Sequence, residues 1–165
     1  MTTAKGIAFL DIEASGLGPS SFPLEVGWAF LDGPSGSRLI KPASGWNYPD
    51  RDPLADELHG ITWQQIDTEG LAAWEVAAAL EQLLGGGRST VFSDAPQMGG
   101  FWLDRLFEQF SAERSFQLVD FTLALRRTFP LTPAADDADR GVLRHHRAEA
   151  DALLLRQLWL SARRD

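Results

Sequence analysis

The stretch KGIAFLDIEASGLG, Lys5 to Gly18, constrains this chain more than any other. Four apolar residues, Ile7 to Leu10, run into Asp11 and Glu13, and the segment then breaks at Gly16 and Gly18. An apolar run near an N-terminus predicts a buried strand, and strands disfavour acids, so two carboxylates at its end need a physical reason. Two apart on a strand, Asp11 and Glu13 emerge on one face with Cα atoms roughly 7 Å apart. Like charges that close, partly desolvated, raise each other's pKa unless a cation compensates them. A bound divalent metal meets that need. The plainer alternative is that one acid caps the following loop and the other stands in solvent.

The rest of the chain organises around this strand. FPLEVGWAFLDG (Phe22 to Gly33) reads as a second strand closed by a turn and SRLIKP as a third, and their short connections predict an antiparallel meander. From Pro49 to Gly87 the pattern is helical, ending at three consecutive glycines. STVFSD (Ser89 to Asp94) resumes strand character, GGFWLDRLFEQF is helical, SFQLVD reads as a fifth strand, and a last long helix begins near Arg147. TPAADDADRG (Thr132 to Gly141) reads as a mobile polar connection. The expected architecture is α/β, a mixed five-stranded sheet with helices on both faces. At 165 residues and 44% hydrophobic composition, one domain spanning 1–165 is expected.

Composition narrows the chemistry. There is no cysteine, so any metal must be held by oxygen or imidazole ligands, which favours hard divalent cations. A net charge of −8 argues against a broad electrostatic grip on nucleic acid and leaves room for local contact with a strand end. No window approaches the roughly 18 apolar residues of a membrane span, and MTTAKG lacks the apolar region of a signal peptide. A soluble, cytoplasmic, stand-alone protein is expected.

Near the other end, HRAEADA places His146 five residues before Asp151. On a helix that spacing separates the two by about 140°, so they do not share a face if both are helical. With His146 in the preceding loop and Asp151 on an early turn, imidazole and carboxylate can converge on the strand acids. Ala148, Ala150 and Ala152 keep the helix slim enough to approach a sheet. The alternative is a capping His and a surface Asp.

FLDIEASGL, HGIT and HRAEADA, in this order and at these separations, resemble the DEDDh 3′-to-5′ exonucleases, the superfamily of polymerase proofreading subunits, ribonuclease T and oligoribonuclease. The resemblance runs from Ile7 to about Leu158. It implies a ribonuclease-H-like sheet, two divalent ions, normally Mg²⁺ or Mn²⁺, and a His general base acting on the terminal phosphodiester of single-stranded DNA or RNA 3′ ends. Carried over by position, Asp11 and Glu13 match the first motif, with Asp11 bridging the ions. Asp151 matches the last acid and His146 the base; His145 has the wrong spacing. Ala14 and Ser15 replace two threonines common in the family, Gly16 and Leu17 are retained, and Leu17 would pack on the terminal base. His59 and Thr62 of HGIT would shape the nucleotide pocket, while Thr62 with Gln65 also forms a plausible capping box. Glu25 matches a recurrent second-strand acid whose role spacing does not reveal. Some relatives are dimers, so a homodimer is among the expected partners.

One motif departs from the pattern. Aligning FWLDRLF on the family's aromatic-leucine pair puts Gly99 where a carboxylate should stand. Asp94, at the end of the fourth strand, is the better substitute as a catalytic acid; Asp104 reads as a solvated helix residue, paired locally with Arg105 or Arg114 or with neither. Without a substitute, the chain reads as a module that binds 3′ ends or a protein partner without cutting. An aspartyl-phosphate enzyme would want a second Asp where Glu13 stands. Of the six tryptophans, Trp74, Trp102 and Trp159 are expected in the core, and Trp46, near Tyr48, at the surface.

Overall fold

The computed structural model describes residues 6–47, 51–130, 133 and 144–164. Three antiparallel strands open the chain, as their short connections predict: β1 (Gly6–Ala14), β2 (Pro23–Phe30) and β3 (Ser35–Lys41). Helices α1 (Pro53–His59) and α2 (Trp63–Glu69) follow, then β4 (Leu71–Ala72), α3 (Ala73–Leu84), β5 (Ser89–Ser93), α4 (Pro96–Phe107), β6 (Leu118–Asp120), α5 (Phe121–Thr128) and α6 (Ala148–Ala162). The sheet order is β4-β3-β2-β1-β5-β6, with β5 and β6 parallel to their inner neighbours.

The α/β class and the mixed sheet are as expected, but the sheet has six strands rather than five. The additional strand is β4, two residues that pair in parallel with Ile40 and Lys41 inside a stretch read as helical. Two residues are too few to carry an alternating pattern, so only tertiary pairing creates this strand. The expected connection at 132–141 lies, Pro133 excepted, outside the described residues, as does Tyr48.

Strand alternation sorts β1 into two rows. Ala8, Leu10 and Ile12 face a core built with Val76, Leu80 and Leu84 of α3 and Leu103 and Leu106 of α4. Phe9 faces the other way, into a cluster with Phe92, Phe121, Leu125, Leu155 and Trp159, where the Phe92 and Trp159 rings stack at 5.1 Å. Asp11 and Glu13 continue the Phe9 row by period-two geometry, so the acids lie on the face that α6 covers.

Two tryptophans correct the sequence reading. Trp46 is buried, stacked on Phe22 at 5.5 Å with Arg105 over its ring, because its loop folds back onto the sheet. Trp74 is 56% exposed: the buried stripe of α3 runs through Ala73, Val76, Ala77, Leu80 and Leu84, and Trp74 falls off it. Trp102 and Trp159 are buried as expected. The capping box of α2 forms, with Thr62 Oγ1 accepting from Gln65 N–H at 3.2 Å and Gln65 Oε1 accepting from Thr62 N–H at 2.9 Å. Thr62→Ala should lower unfolding free energy by about 1 kcal/mol in chemical denaturation.

Candidate active site

The acids of β1 meet the start of α6 because β2 makes room for it. Across from Asp11 lies Gly27, and a Cβ there would fall inside the backbone of Ala148 and Glu149. The missing side chain therefore lets the first turn of α6 rest directly on the sheet, with Ala148 and Ala152 fully buried beneath it. Opposite Glu13 stands Glu25, which holds the helix in place. Its carboxylate accepts from Arg147 Nε at 3.0 Å and Nη2 at 2.8 Å, and from the Ala148 backbone N–H at 3.0 Å. This bidentate pair at a helix N-terminus supplies the role that spacing alone left open for Glu25.

Held this way, Asp151 on the first turns of α6 converges on Asp11 and Glu13, and one carboxylate oxygen from each lies within 4.8 Å of the other two. Asp151 Oδ1 accepts from the His145 backbone N–H at 2.8 Å, tying the loop before α6 to the helix. The next residue, His146, has φ of 51°, an uncommon left-handed conformation for a non-glycine residue. It stands in the loop rather than in α6, as the five-residue spacing requires, and it lines the same cleft as Asp11 and Glu13.

The cleft holds about 270 Å³ and is bounded on the far side by the loop after β1 and by α1. Ala14, at a β-bulge, and Gly16 line it. Leu17 is 76% exposed and shares an apolar wall with Leu54 and Leu58 of α1. Ser15 does not face the cleft chemistry; its Oγ accepts from Phe22 N–H, and its carbonyl accepts from Asp52 N–H, which anchors α1 to the loop. His59 lines the cleft from α1, with Nδ1 accepting from Ile61 N–H at 3.0 Å. Burial holds its pKa below the ordinary range against the pull of Asp56, so the ring is neutral near pH 7. Thr62 is not brought to the cleft, and its hydroxyl is used by the cap of α2.

Electrostatics at the acid cluster favour a cation. Burial pushes the Asp11 carboxyl well above the usual range, and Glu13, Asp94 and Asp151 add to the effect while Arg144 opposes it. Glu13 is pushed up to about 7 by burial and by Asp151 and Glu25. Asp11 Oδ2 and Asp151 Oδ2 are buried and have no hydrogen-bond donor among the described residues, an arrangement that is costly unless something positive approaches them. Three converging oxygen donors without sulfur or nitrogen suit a hard divalent ion such as Mg²⁺ or Mn²⁺. The residues present therefore fit such an ion.

The middle acid is where this site differs from the expectation. Gly99 of α4 lines the cleft with no side chain, and a Cβ there would meet Leu118 Cδ1 at 2.8 Å. Asp94 is near enough to act on Asp11 but is not part of the three-carboxylate group; it forms an ion pair with Arg144. Asp104 pairs with Arg114 at 2.6 Å and lies outside the cleft. Sequence reasoning passed over Gly27 and Arg144. A glycine inside an otherwise apolar strand was the available signal for Gly27, since it marks close backbone approach; a lone arginine before two histidines carries no such mark.

No protein-family model matches the chain, and no curated protein sequence matches it. Solved structures do share its fold. The zinc-bound complex of Escherichia coli exonuclease I with single-stranded DNA aligns with a TM-score of 0.74 at 16% identity, covering 98% of this chain and 41% of that one. E. coli exonuclease I in complex with a dA16 oligonucleotide aligns at 0.70 and 17% identity, covering 93% and 40%. The moderately thermophilic exonuclease I of Methylocaldum szegediense gives 0.69 and 17%, covering 94% and 39%. The likeness establishes the fold, the ribonuclease-H-like α/β arrangement of those exonucleases, and this chain spans about two-fifths of their length. Among the described residues no helix is long and apolar enough to cross a membrane.

Proposed function

We propose that this chain is a metal-dependent 3′-to-5′ exonuclease domain of the DEDDh type, releasing nucleoside 5′-monophosphates from single-stranded DNA or RNA. The convergence of Asp11, Glu13 and Asp151, with two buried oxygens left without donors among the described residues, carries this reading. That the E. coli exonuclease I structures above hold single-stranded DNA and a dA16 oligonucleotide supports the substrate class.

Asp11, Glu13 and Asp151 would hold Mg²⁺ or Mn²⁺. When bound, such an ion would supply positive charge that stabilises an in-line displacement at phosphorus. His146, on the same cleft, takes the proton of the attacking water as general base. Leu17, with Leu54 and Leu58 beside it, offers the terminal base an apolar surface, and Gly16 and Ala14 allow the strand end to approach the backbone. Glu25 and Arg147 are positioning residues, acting through the placement of Asp151.

A second reading, a module that binds 3′ ends without cutting them, is favoured by Gly99 and by the engagement of Asp94 with Arg144. Linear and circularised single-stranded oligonucleotides of one sequence separate the possibilities. The exonuclease shortens the linear form one nucleotide at a time from its 3′ end and leaves the circle intact. Cutting of the circle contradicts the exonuclease, and binding of the linear form without shortening, converted to cutting by Gly99→Asp, identifies the second reading.

A further inference from the structure

Arg144 shares the cleft with Asp11, Glu13, Ser93 and Gly99, and no catalytic role above uses it. One terminal nitrogen, Nη2, is engaged with Asp94 Oδ2, and no other guanidinium nitrogen has a partner among the described residues. Its backbone neighbour is fixed, because the His145 N–H donates to Asp151. Its charge acts on both Asp11 and Glu13. The Gly99 position, which could have brought a fourth carboxylate into the cleft, points its missing Cβ at Leu118 and toward Ser93, the residue before Asp94. A guanidinium thus shares the cleft with the acids, where among the described residues three carboxylates cluster and Asp94 is taken up in an ion pair with Arg144.

We infer that the site takes one divalent ion, on Asp11, Glu13 and Asp151, and that Arg144, steadied by Asp94, binds the phosphate of the terminal nucleotide and provides the second positive charge. This rests on the nuclease reading above. Guanidinium is permanently charged and its planar fork matches two non-bridging phosphate oxygens, so it can offset phosphate charge without any further metal ligand. Asp94 then acts as a positioning residue for Arg144 and not as a metal ligand.

The test measures Mn²⁺ stoichiometry by isothermal titration and the affinity for thymidine 5′-monophosphate, on the wild type, Arg144→Gln and Arg144→Lys. One Mn²⁺ per chain is expected in all three proteins. Arg144→Gln should weaken the nucleotide by roughly tenfold or more, as loss of a charge-assisted contact does, and Arg144→Lys should restore part of it. Arg144 is 39% exposed, so these variants are expected to fold. Two ions or none in the wild type, or a nucleotide affinity unchanged by Arg144→Gln, overturns the inference. One ion with Arg144-dependent nucleotide binding, in a protein that leaves oligonucleotides intact, keeps this inference and overturns the hydrolytic reading. Stepwise hydrolysis with two ions per chain does the reverse.

Discussion

Asp11→Asn is expected to abolish hydrolysis while making the metal-free protein more stable at pH 7.5. The two effects come from one cause. Burial and the surrounding carboxylates raise the Asp11 pKa, so the folded state keeps a proton that the unfolded chain has already released. An acid raised in this way contributes stability below its unfolded pKa, and that stability is lost as pH rises through the folded value. Glu13, with a pKa raised from 4.5 to about 7, places part of this loss between those two values. Its share alone is on the order of 2 kcal/mol, allowing for its partial exposure. The thermal midpoint of the metal-free wild type should therefore fall as pH rises from about 4.5 to 7. Asn carries no charge to desolvate, so it removes the Asp11 share of that loss and flattens the profile. Mg²⁺ or Mn²⁺ should raise the wild-type midpoint most above pH 7, where the ligands are ionised, and should leave Asp11→Asn nearly unmoved. A variant that is less stable than the wild type at pH 7.5 without metal would mean that Asp11 is a structural hydrogen-bonding group.

Gly27→Ala is expected to destabilise the protein severely although it adds a single methyl group. The new Cβ would occupy the backbone of Ala148 and Glu149, and backbone cannot rotate away as a flexible side chain does. Either α6 lifts from β2 or β2 distorts, at about 3 kcal/mol or more. Lifting α6 also strains the hold of Glu25 on Arg147 and the Ala148 N–H, and it draws Asp151 away from Asp11 and Glu13. Denaturant unfolding reads the first effect and Mn²⁺ affinity the second. Gly100→Ala is the control, since nothing lies within 4 Å of a Cβ there and helix propensity favours alanine. Equal stability of Gly27→Ala and Gly100→Ala would show that α6 does not depend on this close approach.

What the sequence made legible followed from spacing. Asp11 and Glu13 share a face because a strand has period two, and Asp151 had to sit on an early helical turn if His146 lay in the loop; both arrangements are present. The meander of β1 to β3 was legible from short connections and turn residues. Features fixed by long-range packing were not. β4 exists only because Ile40 and Lys41 offer an edge to pair with, Trp46 is buried only because its loop folds onto Phe22, and Trp74 looked apolar enough for a core that α3 presents on another face. Glu25 could be noticed from its strand but its purpose depends on Arg147, 122 positions away. The engagement of Asp94 by Arg144 is likewise a contact between residues 50 positions apart, and no local pattern announces it.

The most direct measurement starts from protein stripped of metal by a chelator and follows a 5′-labelled linear oligonucleotide, with the wild type and Asp11→Ala side by side. The wild type should leave the oligonucleotide intact until Mg²⁺ or Mn²⁺ is added and then shorten it stepwise, and Asp11→Ala should leave it intact throughout. Shortening that persists in the chelator, or that Asp11→Ala performs as well as the wild type, would contradict a hydrolytic centre built on Asp11, Glu13 and Asp151.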